Sequence, residues 1–246
     1  MVRKPDMTCA TNIWYDARGV RRPEKRGARK GDLIIMMSIY WENAAAVPSS
    51  LELVPEVRAL IGPGDRIVDL GCGPGRTLAG LRRDGLGASH VGADCNPPSL
   101  ALAAGLGLAV VRADLAALPF ADASFEVAVL QAVMTTLPSP AARLAVLAEA
   151  RRVVKGLLCL GDFLRNPDLP YYRARYEAGL AETGEAGSFL VREGGVVLYQ
   201  AHHFTFEELE GLLSQAGFGV VQAVFAQVAT RSGNIVAGVS LAAKAL

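Results

Sequence analysis

The stretch that most limits what this chain can become is Ile67-Val68-Asp69-Leu70-Gly71-Cys72-Gly73-Pro74-Gly75-Arg76-Thr77. Two β-branched residues lead into an acid, three glycines follow at alternate positions, and the run behind them can start a helix. Glycine has no Cβ, so such a loop turns sharply and lets a ligand touch the backbone. The helix behind it aims unpaired N–H groups and the positive end of its dipole into the same space. Strand, glycine loop and helix in that order make a cradle for a nucleotide-like cofactor.

The cradle is the first unit of a longer rhythm. After a helical pattern at 51–60 and a Gly62-Pro63-Gly64-Asp65 turn, strands are expected at 66–70, 89–93, 108–112, 125–130 and 157–162. Helices are expected between them at 76–83, from Asn96 onward with Pro97 in its first turn, and at 141–154. Alternation of this kind predicts a mainly parallel sheet covered on both faces, with ligands beyond the carboxyl ends of its strands. The chain then closes with a helix at 205–216, capped by Thr205, and two strands at 218–228 and 235–243. A short link joins these strands, which makes them an antiparallel hairpin. The fold class is therefore α/β, a doubly wound, Rossmann-like sheet of seven strands, mostly parallel with an antiparallel C-terminal hairpin.

Two segments stand outside the rhythm. Residues 1–35 crowd basic side chains between Arg3 and Lys30 with little apolar periodicity, and read as a disordered basic tail. The remainder, 36–246, reads as one domain, and the pair Met36-Met37 allows the working protein to begin there. Residues 164–203 interrupt the strand–helix order with a tyrosine- and arginine-rich helix over 169–180 and a hairpin around Glu193-Gly194-Gly195. This insert is expected to cap the sheet's carboxyl edge and supply substrate contacts.

Bulk properties exclude several classes. The chain has 246 residues with 25 basic and 24 acidic ones, so no global charge asks for a nucleic-acid partner. No apolar run reaches the ~18–20 residues needed to cross a bilayer, so no membrane partner is expected either. The four cysteines, at 9, 72, 95 and 159, form no CxxC pair and give no metal-site spacing. They read as reduced thiols of a cytoplasmic protein, with Cys72 and Cys95 lining a pocket at one sheet edge.

Three acids end three successive strands. Asp69 precedes the glycines. Asp94 closes Val91-Gly92-Ala93-Asp94, where a carboxylate can accept both hydroxyl hydrogens of a ribose. Asp114, followed by Leu115, can accept from an adenine amino group while the next N–H meets a ring nitrogen. A nicotinamide-dependent oxidoreductase is the rival reading, but its G-x-G-x-x-G fingerprint fails here, because Arg76 stands at the third position and the glycine falls at 75.

With these residues in place, the chain from about Tyr40 onward resembles the class I S-adenosylmethionine-dependent methyltransferases, and among them the small-molecule, type 11-like group. Asp69-x-Gly71-x-Gly73-x-Gly75 is similar to that family's first motif, Asp94 to its ribose acid, and Asp114-Leu115 with Leu118-Pro119-Phe120 to its adenine segment. Phe204-Thr205-x-Glu207-Glu208-Leu209 and Ala216-Gly217-Phe218 also resemble the family. The resemblance implies S-adenosylmethionine as cofactor and a cofactor set of Asp69, Gly71, Cys72, Gly73, Gly75, Asp94, Cys95, Asp114, Leu115 and Gln131, with Tyr40 closing over it. Two positions depart from it. The family's Leu-His-His-Leu is Met134-Thr135-Thr136-Leu137 here, and its Lys-Pro-Gly-Gly is Lys155-Gly156.

The implied activity is in-line transfer of a methyl group to a small-molecule acceptor; the alternative is a non-catalytic S-adenosylmethionine-binding regulatory or assembly protein. Holding nucleophile and methyl in line supplies much of the acceleration, so no general base is obligatory. No catalytic residue is assigned. His202 and His203 are candidates for a base role, since strand alternation sends one of them inward. Tyr171, Tyr172 and Arg173 are candidates for positioning the acceptor. His90, before the second strand, reads as a surface residue.

Overall fold

The structure is a computed structural model that describes residues 14–15, 21–22, 40–43, 51–230 and 233–246. The tail expected at 1–35 and the start at Met36 lie outside the described residues, apart from a short antiparallel pairing of Trp14–Tyr15 with Arg21–Arg22.

Seven strands form the main sheet: β1 Arg66–Leu70, β2 Ser89–Asp94, β3 Ala109–Arg112, β4 Phe125–Gln131, β5 Val154–Phe163, β8 Phe218–Ala229 and β9 Ile235–Ala245. A separate hairpin, β6 Ser188–Glu193 with β7 Val196–His202, lies within the insert. The sheet order is β8-β9-β5-β4-β1-β2-β3. β1 to β5 run parallel, whereas β9 pairs antiparallel with β5 and with β8. Order reverses at β1, between β4 and β2, so the crevice of a doubly wound sheet opens above the glycine loop.

Among the described residues five helices cover the sheet, α1 Pro55–Arg58, α2 Arg76–Arg83, α3 Pro97–Gly105, α4 Pro140–Val153 and α6 Phe206–Gln215, while α5 Pro170–Thr183 packs on the insert's hairpin. Strand alternation sorts side chains between two cores. Ile67, Val127, Val129 and Cys159 meet Val57, Leu78, Leu81 and Ala103 from α1, α2 and α3. Val68, Leu70, Ala128, Leu130, Leu158 and Leu160 meet Val146, Leu147, Leu209 and Leu213 from α4 and α6. Each such buried aliphatic side chain contributes about 1.5–3 kcal/mol.

Caps fix the helix starts. Asn96 Oδ1 accepts from Ser99 N at 2.9 Å, Ser139 Oγ from Ala142 N at 3.2 Å, and Thr205 Oγ1 from Glu208 N at 3.1 Å. The helix expected over 51–60 is shorter than its apolar pattern. Pro55 sits at its first turn after an extended Val54 and cannot extend a ladder backwards. Leu51 and Leu53 are buried without being helical. Among the described residues the insert's hairpin pairs with no strand of the main sheet, and Leu164 and Phe204, at the two ends of the insert, form an isolated parallel bridge. Among the described residues no helix is long and apolar enough to cross a membrane.

Candidate functional site

The glycine loop is built against the end of β2. Gly71 N and Cys72 N both donate to Ala93 O, at 2.7 and 3.1 Å. Gly73 N donates to Asp94 Oδ2 at 2.8 Å, and Asn96 N to Asp94 Oδ1 at 2.9 Å. Each carboxylate oxygen of Asp94 thus holds one backbone N–H and keeps a second lone pair for a ligand. A Cβ at Gly73 would meet nothing within 4 Å, whereas one at Gly75 would lie 2.5 Å from Leu108 Cδ1 and 2.9 Å from Ala103 Cβ. Gly73 therefore opens the loop, and Gly75 lets it pack on α3.

Beyond the loop lies a cavity of about 1610 Å³. Small-ligand pockets hold roughly 300–1,000 Å³, so this one has room for two molecules. Of the residues expected to hold a cofactor, Asp69, Gly71, Cys72, Gly73, Asp94, Cys95, Asp114, Leu115 and Gln131 line it together. Gly75 lies behind the wall. So does Tyr40, which stacks on Tyr199 with centroids 5.0 Å apart. The aromatic at the wall is its neighbour Trp41, whose indole nitrogen is buried without a hydrogen-bond partner. Asn96 Nδ2 anchors this turn by donating to Trp41 O at 2.8 Å.

Two polar groups at the cavity floor lack protein partners. Asp69 is 1% exposed and its Oδ2 accepts no hydrogen bond. Burial, and then the charge of Asp94, push its carboxyl up to about 7. Both amide atoms of Gln131 are buried and unpaired. Gly161 on β5 leaves the space for that amide, since a Cβ there would lie 2.3 Å from Oε1. Next to it Ala132, at φ 55, occupies the left-handed region that non-glycine residues rarely adopt, its N–H held by Gly161 O at 2.8 Å. The thiols of Cys72 and Cys95 are free. Burial raises both, Cys95 to about 11, so neither is a thiolate nucleophile at neutral pH.

The insert forms the opposite wall, through Tyr171, Tyr172, Arg175, Phe189, Tyr199 and His203 among others. Arg173 is turned away and donates to Pro167 O at 2.9 Å, because on α5 the face of 171 and 172 continues at 175 rather than 173. The two histidines part company. His203 is in the wall, with Nδ1 2.8 Å from Tyr176 Oη and its ring stacked on Phe163 at 5.5 Å. Burial, with Arg175 and His202 nearby, lowers its pKa to about 3. His202 lies off the cavity. Its Nε2 donates to Glu208 at 2.9 Å and its Nδ1 meets Ser188 Oγ at 2.9 Å. His90 is half-buried on Leu86 O at 2.8 Å.

Glu185, His202 and Glu208 bring candidate metal-ligand atoms within 4.8 Å of one another. The grouping is a charge network. Arg143 takes both oxygens of Glu185, at 2.5 and 3.2 Å, and Arg165 takes Glu208 at 3.2 Å. Each carboxylate, already paired with an arginine, also faces a ring nitrogen of His202.

Sequence reasoning missed Trp41, Arg175, Phe163, Tyr199 and Thr135 as cavity residues. The periodicity of α5 carried the signal for Arg175; nothing local in the sequence distinguishes the others.

A family model described as a methyltransferase domain matches residues 68–157. An S-adenosylmethionine-dependent methyltransferase from Methanosarcina mazei is 33% identical, with 80% of this chain and 99% of that one covered and a TM-score of 0.76. Identity at that level across a whole relative goes beyond shared fold. The chain belongs to the class I S-adenosylmethionine-dependent methyltransferases, and S-adenosylmethionine is its cofactor. More distant structures share the fold. Magnesium protoporphyrin IX methyltransferase of Synechocystis, with bound S-adenosylhomocysteine, is 18% identical, with 75% of each chain covered and a TM-score of 0.55. A didemethyltoxoflavin N1-methyltransferase of Burkholderia thailandensis, bound to its substrate and S-adenosylhomocysteine, is 19% identical, with 74% of this chain and 71% of that one covered and a TM-score of 0.54. Among curated proteins no sequence matches this one.

Proposed function

We propose that this chain transfers a methyl group to a small molecule held between the glycine loop and the insert. The observation that carries the reading is the convergence of three strand-end carboxylates, Asp69, Asp94 and Asp114, on one wall of a cavity with room for two ligands. When bound, the cofactor supplies a methyl on a sulfonium, whose neutral thioether is the leaving group.

The residues fit that group. Asp94, braced by Gly73 N and Asn96 N, takes the ribose hydroxyls with its remaining lone pairs. Asp114 holds Ala116 N through Oδ1 at 2.9 Å and presents Oδ2 to the adenine amino group beside Leu115. Asp69 Oδ2, the buried acceptor without a donor, takes the ammonium; Gln131 completes that end; Arg76, at the start of α2, takes the carboxylate. The Burkholderia relative binds a small heteroaromatic substrate beside its cofactor product, which supports a small acceptor here too. The insert then acts as a cap that orients the acceptor and excludes water, the kind of positioning that carries an in-line displacement. Free thiols at 72, 95 and 159 suit a cytoplasmic setting.

Two measurements test this. Titration calorimetry with S-adenosylhomocysteine should give binding to the wild type and at least tenfold weaker binding to Asp94→Ala; unchanged affinity would refute the assignment of the loop. Mass spectrometry of cell extract incubated with the protein and a labelled methyl donor should reveal one labelled metabolite, and a screen yielding none would favour a non-catalytic binding role.

A further inference from the structure

Among the described residues six arginines line the cavity: Arg58, Arg76, Arg83, Arg112, Arg175 and Arg192. Four are occupied by carboxylates. Arg58 and Arg83 hold Asp84, Arg112 holds Glu42 at 3.5 Å, and Arg192 holds Glu182 at 2.6 Å. Arg76 stands beside the glycine loop, where the cofactor's own carboxylate is expected. That leaves Arg175, on the insert side, with no carboxylate among the described residues. Nη1 donates to Tyr171 Oη at 3.0 Å, and the guanidinium lies over the rings of Phe189 at 4.2 Å, Tyr171 at 5.2 Å and Tyr172 at 5.8 Å. Stacking engages the face of a guanidinium and leaves the N–H groups of its rim directed outward, a fork that matches a carboxylate.

A second donor lies in the same wall. Tyr176 Oη accepts from Asn166 N at 3.2 Å and lies 2.8 Å from His203 Nδ1. In the tautomer that takes the phenol proton at Nδ1, the neutral imidazole carries its own proton on Nε2, which has no hydrogen-bond partner among the described residues. Between Arg175 and His203 the wall is aromatic: Phe189 and Tyr172 meet both side chains, and Phe163 and Tyr199 belong to the same apolar cluster.

We propose that the acceptor is a planar aromatic acid, its ring against this wall, its carboxylate on the free fork of Arg175, and an oxygen substituent accepting from His203 Nε2. A single cation matches the single charge of a carboxylate, whereas the dianion of a phosphate monoester calls for a second one. The inference rests on reading the glycine loop as the cofactor site and names the class of molecule placed opposite it.

The test is calorimetry on the full chain, with and without saturating S-adenosylhomocysteine, using 4-hydroxybenzoate, 3,4-dihydroxybenzoate and indole-3-carboxylate, each against its primary amide. At least one acid should bind ten times more tightly than its amide. Arg175→Gln should bring acid and amide level, Arg175→Lys should keep part of the preference, and both variants should bind S-adenosylhomocysteine as the wild type does. Equal binding of acids and amides, no binding of any acid, or a preference that survives Arg175→Gln overturns the proposal. Failure of S-adenosylhomocysteine to bind the wild type strikes the cofactor reading instead, and the acid–amide comparison without it still decides the role of Arg175.

Discussion

At the scale of single residues, Asp69 joins stability to ligand binding. Its carboxyl is raised from 3.8 to about 7, first by burial and then by Asp94. A folded-state pKa above the unfolded one means that the folded protein holds a proton the unfolded chain has released. The associated stability is therefore full below about pH 4, falls as pH rises towards 7, and is level beyond. Asp162 shifts in the same direction and window, again chiefly through burial. Asp69→Asn should thus stabilise the ligand-free protein at pH 8, by on the order of 1–3 kcal/mol, and leave it little changed at pH 4. The same change removes the anion proposed to meet the ligand's ammonium. Affinity for S-adenosylhomocysteine should drop about ten- to a hundredfold, the share of one charge-assisted hydrogen bond, and should lack the decline below pH 7 expected of the wild type. Thermal melts and calorimetry at the two pH values check both halves. His203 offers a contrasting case. A pKa of about 3 keeps its ring neutral above pH 4, so it does not titrate in the range expected of a general base. A pH–rate profile measured on the true substrate should have no limb near 6.5 that vanishes in His203→Gln; such a limb would restore the base role.

The glycine loop shows how one element serves two purposes with one residue type. Gly73 and Gly75 both have positive φ, 50 and 80. The first faces open space and the second packs on Leu108 and Ala103. Gly75→Ala should cost about 2–4 kcal/mol, from left-handed strain and overpacking together, and leave affinity for S-adenosylhomocysteine intact at temperatures where the variant is folded. Gly73→Ala should cost only about 1–2 kcal/mol yet weaken binding at least tenfold, because its methyl enters the space beside the cavity. Denaturant unfolding and calorimetry on the pair separate the two roles, and equal behaviour of the variants would refute the division. The sequence could announce the loop but not this division, since what Gly75 touches, Ala103 of α3 and Leu108 just beyond it, comes from about 30 positions on. Elements governed by local chemistry were legible: β1 and α2 fall on the expected residues, and Asn96 and Thr205 cap as their side chains allow. α1 was overextended because its apolar spacing outweighed Pro55. Arg173 adjoins the tyrosines in sequence, but the turn of α5 brings Arg175 and not Arg173 to their face.

At the scale of the molecule, the mainly parallel sheet was legible from the alternation of strands and helices, and its antiparallel close from the short link between the last two strands; the order of the strands was not. Nor was the attachment of the insert, because it depends on side chains brought together from distant segments. β6 and β7 form a sheet of their own, and the insert is held to the core by an apolar cluster, in which Phe163 and Val236 of the main sheet meet Tyr172, Phe189 and Tyr199, and by polar bonds. Thr135 Oγ1 donates to His202 O at 2.7 Å, and Gln200 Nε2 to Pro138 O at 3.1 Å. A charged tie joins Arg143 on α4 to Glu185 just before β6. The arginine side chain is fully buried, and the glutamate is also bonded by Ser188 Oγ at 2.5 Å. Burial would raise the carboxyl of Glu185, but Arg143 and Ser188 more than offset it and hold it below the ordinary range. Removing one partner strands a buried charge, so Glu185→Ala should lose about 3–5 kcal/mol. Arg143→Met combined with Glu185→Gln removes the charge as well and should recover most of that loss. Hydrogen exchange gives the spatial readout. In Glu185→Ala, protection should fall first in α5, β6 and β7 while β1, β4 and β5 keep theirs, because the main sheet has its own cores on both faces. Uniform loss of protection across sheet and insert would mean that the two unfold as one unit and that the Arg143–Glu185 pair is not what joins them.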